Sequence, residues 1–228
     1  NLAWRMFWRE WRGGELGLLL AALVLGIVIV TGITLFAERL QGALVGEASV
    51  YLGADRVLQT AEVIESVWVD QARGNSLQIA RTAVFPTMAY ADDAMLLVSL
   101  KAVSNSYPLH GKLEIRKADG VQVEVDHGPV GDEVWVDDSV LAQLSVQIGD
   151  HLDIGEKRFL ITAALTKEGD AGSSFYGMGA RVMIADSELE ATQLLLPGSR
   201  VEYRYLFAGE QGNITAFFDW LKPHLQKN

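Results

Sequence analysis

From Leu16 to Phe36 the chain carries no charged residue. That run of 21 is mostly Leu, Val, Ile, Ala and Gly. As an α-helix rising ~1.5 Å per residue it spans roughly 30 Å, the thickness of a bilayer's hydrocarbon core. A buried helix of a soluble domain seldom reaches this length without a polar face. The apolar region of a cleaved signal peptide is shorter, about 7–15 residues, and no small-x-small cleavage site follows, since the run ends in Leu35-Phe36-Ala37-Glu38-Arg39. The sequence therefore predicts one transmembrane helix over 15–36.

The flanks of this run say how it is held. Trp4, Phe7, Trp8 and Trp11 recur at helical spacing, and Arg5, Arg9 and Arg12 line a neighbouring face. An aromatic stripe beside an arginine stripe fits an amphipathic elbow helix over 1–14 lying in the headgroup layer, with Gly13-Gly14 as the bend. An ordinary juxtamembrane anchor is the plainer reading of these seven residues. Either places the N-terminus in the cytoplasm, because arginines stay inside. After the span, helical spacing continues through Phe36, Leu40, Leu44, Ala48 and Leu52, which predicts a periplasmic stalk over 37–53 ending at Gly53-Ala54.

The first fifteen residues sum to +1, so the remaining chain carries −11. Such an acidic domain is a poor partner for nucleic acid or anionic headgroups. There is no cysteine, hence no disulfide and no thiolate metal site, which suits a core-stabilised bacterial periplasmic domain. Strand-like runs are expected at 55–60, 77–90 and 95–103, with a helix at 63–73 and Asp92-Asp93 as a hairpin turn. Near the end, 201–207 alternates like a strand, and Ile214, Phe217, Phe218 and Leu221 suit a helix capped by Asn213. The pattern predicts an α+β class: an open α+β sandwich split over 54–119 and 198–228, interrupted by a small β-rich subdomain over 120–197. Within that insert, strands are expected at 133–136, 151–154, 157–165 and 181–184, and a short helix at 138–144 whose start is capped from Asp137-Asp138.

Signs of catalysis are absent or weak. No glycine-rich loop ends in Gly-Lys-Ser/Thr, so no nucleotide cofactor is expected. Gly172-Ser173-Ser174-Phe175 lacks the Gly-x-Ser-x-Gly spacing of a nucleophile elbow. His110, His127, His151 and His224 are scattered rather than set at metal-ligand spacing. No catalytic, cofactor or metal residue is assigned. One feature stands apart: the glycine-rich stretch Lys167–Ala180, KEGDAGSSFYGMGA, holds Phe175, Tyr176 and Met178. These three either fold onto the insert's core or contact a partner or an apolar cargo.

Several segments together resemble a known family. Leu2-Ala3-Trp4-Arg5, Trp8-Arg9-Glu10-Trp11-Arg12-Gly13-Gly14-Glu15-Leu16, Leu52-Gly53-Ala54-Asp55, Phe85-Pro86-Thr87-Met88, Tyr107-Pro108-Leu109-His110-Gly111, Glu133-Val134-Trp135-Val136-Asp137, Pro197-Gly198-Ser199-Arg200-Val201 and Trp220-Leu221-Lys222-Pro223 resemble YbbP-like permeases of the MacB/FtsX superfamily of bacterial ABC transporters. The resemblance implies an inner-membrane permease subunit that is not itself an enzyme, with ATP hydrolysed by a separate cytoplasmic ATPase subunit. It implies further membrane helices of the same permease after this domain, and a coupling helix beyond Asn228. ATP-driven motion would pass through the stalk to the periplasmic domain and extract or export a hydrophobic or lipid-like cargo, with a periplasmic esterase or thioesterase as a partner. Two rival functions are a single-pass sensor ectodomain and an FtsX-like regulator of a periplasmic hydrolase. The orientation is directly testable. Single cysteines at Asn1 and Asn105 should differ on intact spheroplasts, with an impermeant maleimide labelling the second and not the first. The reverse pattern removes the basis for a periplasmic domain.

Overall fold

The computed structural model describes residues 15–169, 179–196 and 199–225. It falls into two units, Asn1–Glu47 and Ala48–Asn228. The described part of the first unit is helical, and that helix, α1, is continuous from Glu15 to Leu52, 38 residues, its last five residues belonging to the second unit. Twelve large apolar side chains from Leu18 to Phe36 are at least half exposed. Covering them with hydrocarbon is worth on the order of 20 kcal/mol at ~1.5–3 kcal/mol each. The segment Leu20–Ala37 is long and apolar enough to cross a membrane, and none of it is buried. A core helix would hide such a surface. α1 stops at Gly53, whose φ of +65° lies in the left-handed region that ends helices.

The second unit is a mixed α+β domain. Its elements are β1 (Arg56–Thr60), α2 (Ser66–Gly74), β2 (Gln78–Ala91), β3 (Ala94–Val103), β4 (Leu113–Arg116), β5 (Gln122–Val125), β6 (Glu133–Val136), α3 (Asp138–Leu144), β7 (His151–Ile154), β8 (Lys157–Lys167), β9 (Arg181–Ala185), β10 (Glu202–Ala208) and α4 (Gln211–Leu225). The sheet order is β1-β10-β2-β3-β9-β6-β8-β4-β5. β7 pairs with both β2 and β8, so β2, β3, β9, β6, β8 and β7 close into a hydrogen-bonded ring. β3·β9 and β6·β8 are its parallel contacts. Strand β10 is buried along its whole length between β1 and β2, as expected of a strand covered on both faces.

Alternation along the strands sends side chains to two cores. On one face Trp68 and Ala72 of α2, Ile214, Phe217 and Leu221 of α4, and Val140 and Leu144 of α3 pack with Phe85, Leu100, Phe159 and Phe207. On the other, Tyr107, Leu113, Ile115, Trp135, Met183 and Leu206 form a smaller cluster. Asp92, with φ of +48°, turns the β2–β3 hairpin. On the β7–β8 hairpin, Arg158 donates to Asp153 at 2.7 and 2.8 Å, and that bond holds the Asp153 carboxyl below its ordinary range.

Two helix starts differ from the sequence reading. α2 begins at Ser66 rather than near Val63, because the backbone N–H of Ile64 donates to the Tyr205 hydroxyl (3.3 Å) and the chain stays extended to Glu65. α4 begins at Gln211, so Asn213 is inside the helix and the N–H of Ile214 bonds the Glu210 carbonyl. The glycine-rich stretch also starts later than read, since β8 continues to Lys167.

Phe217 is fully buried, with its ring 5.0 Å from Phe207 and 5.4 Å from Phe218. Phe217→Ala should cost about 3–5 kcal/mol, lowering the Tm of the domain by roughly 6–20 °C at ~2–4 °C per kcal/mol. Leu97→Ala, on an exposed side chain, should leave it within a few degrees. Calorimetry on the micelle-solubilised chain checks both.

Candidate functional site: the joint at Gly53 and the buried charges beside it

The peptide after α1 is tied to three other places in the domain. The Gly53 carbonyl accepts the N–H groups of both Leu109 and His110 at 3.0 Å. Ala54 is fully buried. Asp55 donates its N–H to the Phe207 carbonyl (3.1 Å). Its Oδ2 accepts the Gly209 N–H (3.1 Å), and its Oδ1 faces His110 Nε2 at 3.0 Å. The β3–β4 loop and the β10–α4 turn therefore both grip the end of α1, in addition to the pairing of β1 with β10. Two peptide donors on one carbonyl and two neighbours on one carboxylate fix this point against translation.

Tyr107, two residues before Leu109, continues inward. Its ring lies 3.8 Å from where a Cβ on Gly53 would stand, its N–H bonds the Ser104 carbonyl (2.9 Å), and Ser104 is pinned in turn to Arg81 of β2 through 2.9 Å bonds in both directions. The Tyr107 hydroxyl donates to Glu168 Oε1 (3.0 Å) and accepts from Lys101 Nζ (2.9 Å). Lys101 Nζ also pairs with Glu168 Oε1 and sits 4.5 Å from the Tyr107 ring centroid. Glu168 Oε2 lies 3.6 Å from Arg181 Nη1, and Arg181 Nε lies 3.5 Å from Asp137 Oδ2. The Arg181 and Asp137 backbones are cross-bonded as well: the Arg181 N–H donates to Asp137 Oδ2, and the Asp137 N–H to the Arg181 carbonyl, both at 3.0 Å. Asp137 Oδ1 accepts the Val140 N–H (3.1 Å) and so caps α3.

Two cations and two carboxylates thus alternate from Lys101 to Asp137, and the Glu168 side chain is only 3% exposed. Charges taken out of water hold together chiefly because separating them leaves an uncompensated ion, a loss of about 3–5 kcal/mol when one partner is removed. Among the described residues these contacts join β3, the β3–β4 loop, the segment after β8, β9 and the start of α3.

Of the sequence candidates, the anchor residues Trp4, Arg5, Phe7, Trp8, Arg9, Trp11 and Arg12 lie outside the described residues, as do Phe175, Tyr176 and Met178. The elements that bracket the last three are described: Glu168 on one side and Arg181 on the other meet in the charge cluster. Sequence reasoning did not single out Lys101 or Glu168. Lys101 falls in a strand where a lysine ordinarily faces water, and Glu168 opens a loop-like run. The β2–β3 hairpin tip also escaped notice, where Tyr90, Met95 and Leu97 are exposed; Tyr90 pairs with Met95 across the strands, and Leu97 lies two residues along β3, opposite Met88.

No protein-family model matches the chain. Over 222 residues, 97% of its length, it is 28% identical to the uncharacterized ABC transporter permease YbbP of Escherichia coli K12. The chain is similar to an ABC transporter permease. It spans 27% of the length of that relative. Solved structures that resemble the fold include the extracellular domain of the noncanonic ABC-type transporter YknZ from Gram-positive bacteria, with a TM-score of 0.45, 10% identity, and coverage of 65% of this chain and 76% of that one. Another is the periplasmic region of MacB from Actinobacillus actinomycetemcomitans, with a TM-score of 0.44, 12% identity, and coverage of 70% and 72% respectively.

At Gly53 the neighbours leave room for a methyl group, the nearest atom being 3.5 Å from an ideal Cβ; the positive φ is the constraint. Gly53→Ala should therefore cost about 1–2 kcal/mol and Gly53→Asn less, since Asn adopts this conformation readily. Urea midpoints of the solubilised chain measure both. Equal losses for Ala and Asn would show that contact, not backbone conformation, requires the glycine.

Proposed function

We propose that the chain is part of the permease subunit of a bacterial ABC transporter. In this reading α1 crosses the inner membrane with its N-terminus in the cytoplasm, and Ala48–Asn228 is periplasmic. The observation that carries it is the continuity of α1. One unbroken helix holds both the uncharged apolar run and the stretch that ends on the clamped Gly53. On this reading movement of α1 would reach the domain through the bonded peptide Gly53–Asp55. The similarity to a permease along the whole chain supports the same reading.

ATP would be hydrolysed by a separate cytoplasmic subunit, and the domain would convert helix motion into work on a hydrophobic or lipid-like cargo. Exposed Tyr90, Met95 and Leu97 offer such cargo an apolar surface, and Phe175, Tyr176 and Met178 are proposed as a second contact. Within the domain, 54–119 with 198–228 is the proposed porter-like part and 120–197 its insert, joined through the ring strands β2 and β3. A periplasmic esterase or thioesterase is a proposed downstream partner.

Affinity purification of the complete permease from membranes tests this. An ABC ATPase should co-purify in a fixed ratio, and its hydrolysis should respond to the permease. Recovery of a peptidoglycan hydrolase in place of an esterase would favour the regulator reading, and a kinase domain on the same polypeptide the sensor reading. In the same preparation, Phe175→Ser with Tyr176→Ser should impair cargo or partner capture while leaving the Tm nearly unchanged. A collapse in Tm would assign those rings to a core instead.

A further inference from the structure

The clamp at Gly53 and the capped start of α3 are joined by an unbroken series of contacts, and each link has a different strength. Ser104 fixes the base of the β3–β4 loop to β2, while Leu109 and His110 fix its tip to Gly53. Tyr107 lies between these two fixtures, so a displacement of Gly53 rotates the loop about Ser104 and moves the phenol. The phenol is bonded to Lys101 and Glu168, and Glu168 to Arg181. Ion pairs shielded from water resist separation more strongly than neutral hydrogen bonds; Glu168 is buried and Arg181 a quarter exposed, and in the relay these charges move together rather than parting. At the far end stands the weakest element. α3 has seven residues, too few to be stable as an isolated helix, and its cap is Asp137, the same residue that pairs with Arg181 by side chain and backbone. A helix of this kind opens locally when its cap is displaced.

We propose that Tyr107, Lys101, Glu168 and Arg181 form a relay through which the position of the α1 end at Gly53 sets the stability of α3 and of the start of β9. The relay gives the domain a responsive element away from its membrane attachment. It rests on the reading that α1 moves the domain, and it assigns the residues that carry that motion inward. Lys101 and Arg181 are positioning residues here; the moving parts are the loop and the short helix.

The test is a cycle of hydrogen-exchange measurements on the full chain in phosphatidylcholine nanodiscs. Gly53→Ala strains the joint, Tyr107→Phe removes the hydroxyl while keeping the ring, and the double variant completes the cycle. Exchange at Asp138–Leu144 is read against Ser66–Gly74 of α2 as an internal reference. Gly53→Ala should speed exchange in α3 at least about threefold relative to α2, and in the Tyr107→Phe background that acceleration should vanish. An equal acceleration in both backgrounds, or none in α3 while the Gly53 region loosens, would overturn the relay. If Tyr107→Phe raises exchange everywhere, Arg181→Lys replaces it in the same cycle, keeping the charge but losing the planar fork that reaches both Glu168 and Asp137. A failed cycle with the ATPase still co-purifying would reject the relay and leave the permease reading standing. Loss of the ATPase with an intact cycle would do the opposite.

Discussion

The domain is organised by the length of one strand. β2 runs for fourteen residues, more than twice the usual five or six, and it spends them on three partners. Its first half pairs with β10, its last residues pair with β7, and β3 runs along its other edge. A shorter β2 could join the helical layer formed with α2 and α4, or the ring closed by β7, but not both. The twist natural to a long strand lets its two halves serve two differently curved parts of the sheet. Ala83, Phe85 and Ala89 face one continuous core along the way.

The charges are placed with matching economy. The chain from Leu16 onward is strongly acidic, yet the ions that it buries come in balanced company. Buried Lys101 and Glu168 share a phenol, buried Glu202 and Arg204 neighbour each other on β10, and the partly exposed Arg181 and Arg81 pair with Asp137 and Asp186. The excess of negative charge stays on the surface, where water screens it. Lys101 and Glu168 join β3 to the segment after β8, whereas Glu202 and Arg204 are buried two residues apart on the single strand β10.

Much of this was legible in the residues. The uncharged run marks α1, alternation marks most strands, Asp92-Asp93 marks the hairpin, and Asp137-Asp138 marks the start of α3. The misses share a cause: they depend on contacts between distant parts of the chain. Nothing near Gln122–Val125 distinguishes a four-residue strand from an exposed loop until β4 lies beside it. The ring closure by His151–Ile154 on Ala89 and Tyr90 is invisible locally. The helix start at Ser66 moved because the Tyr205 hydroxyl, distant in sequence, takes the Ile64 N–H; the start at Gln211 is the exception, set locally by the Ile214 N–H bonding the Glu210 carbonyl four residues back. Gly53 was read as an end to the stalk. That its carbonyl would be claimed by residues 109 and 110 could not be read from either neighbourhood.

The pairing of β1 with β10 sets synthesis against assembly. Arg56 meets Phe207 and Thr60 meets Tyr203, so the first of the domain's ten described strands to be made finds its place beside the tenth. The β2–β3 hairpin can form as soon as it is made, because its halves adjoin. β1 has to wait with its backbone groups open to wrong partners, and contacts between remote positions are the slow ones to form. The sheet can therefore be seeded in the middle but is sealed at the β1 edge only when the closing segment of the domain arrives, and the peptide following the apolar helix is the last piece to be locked.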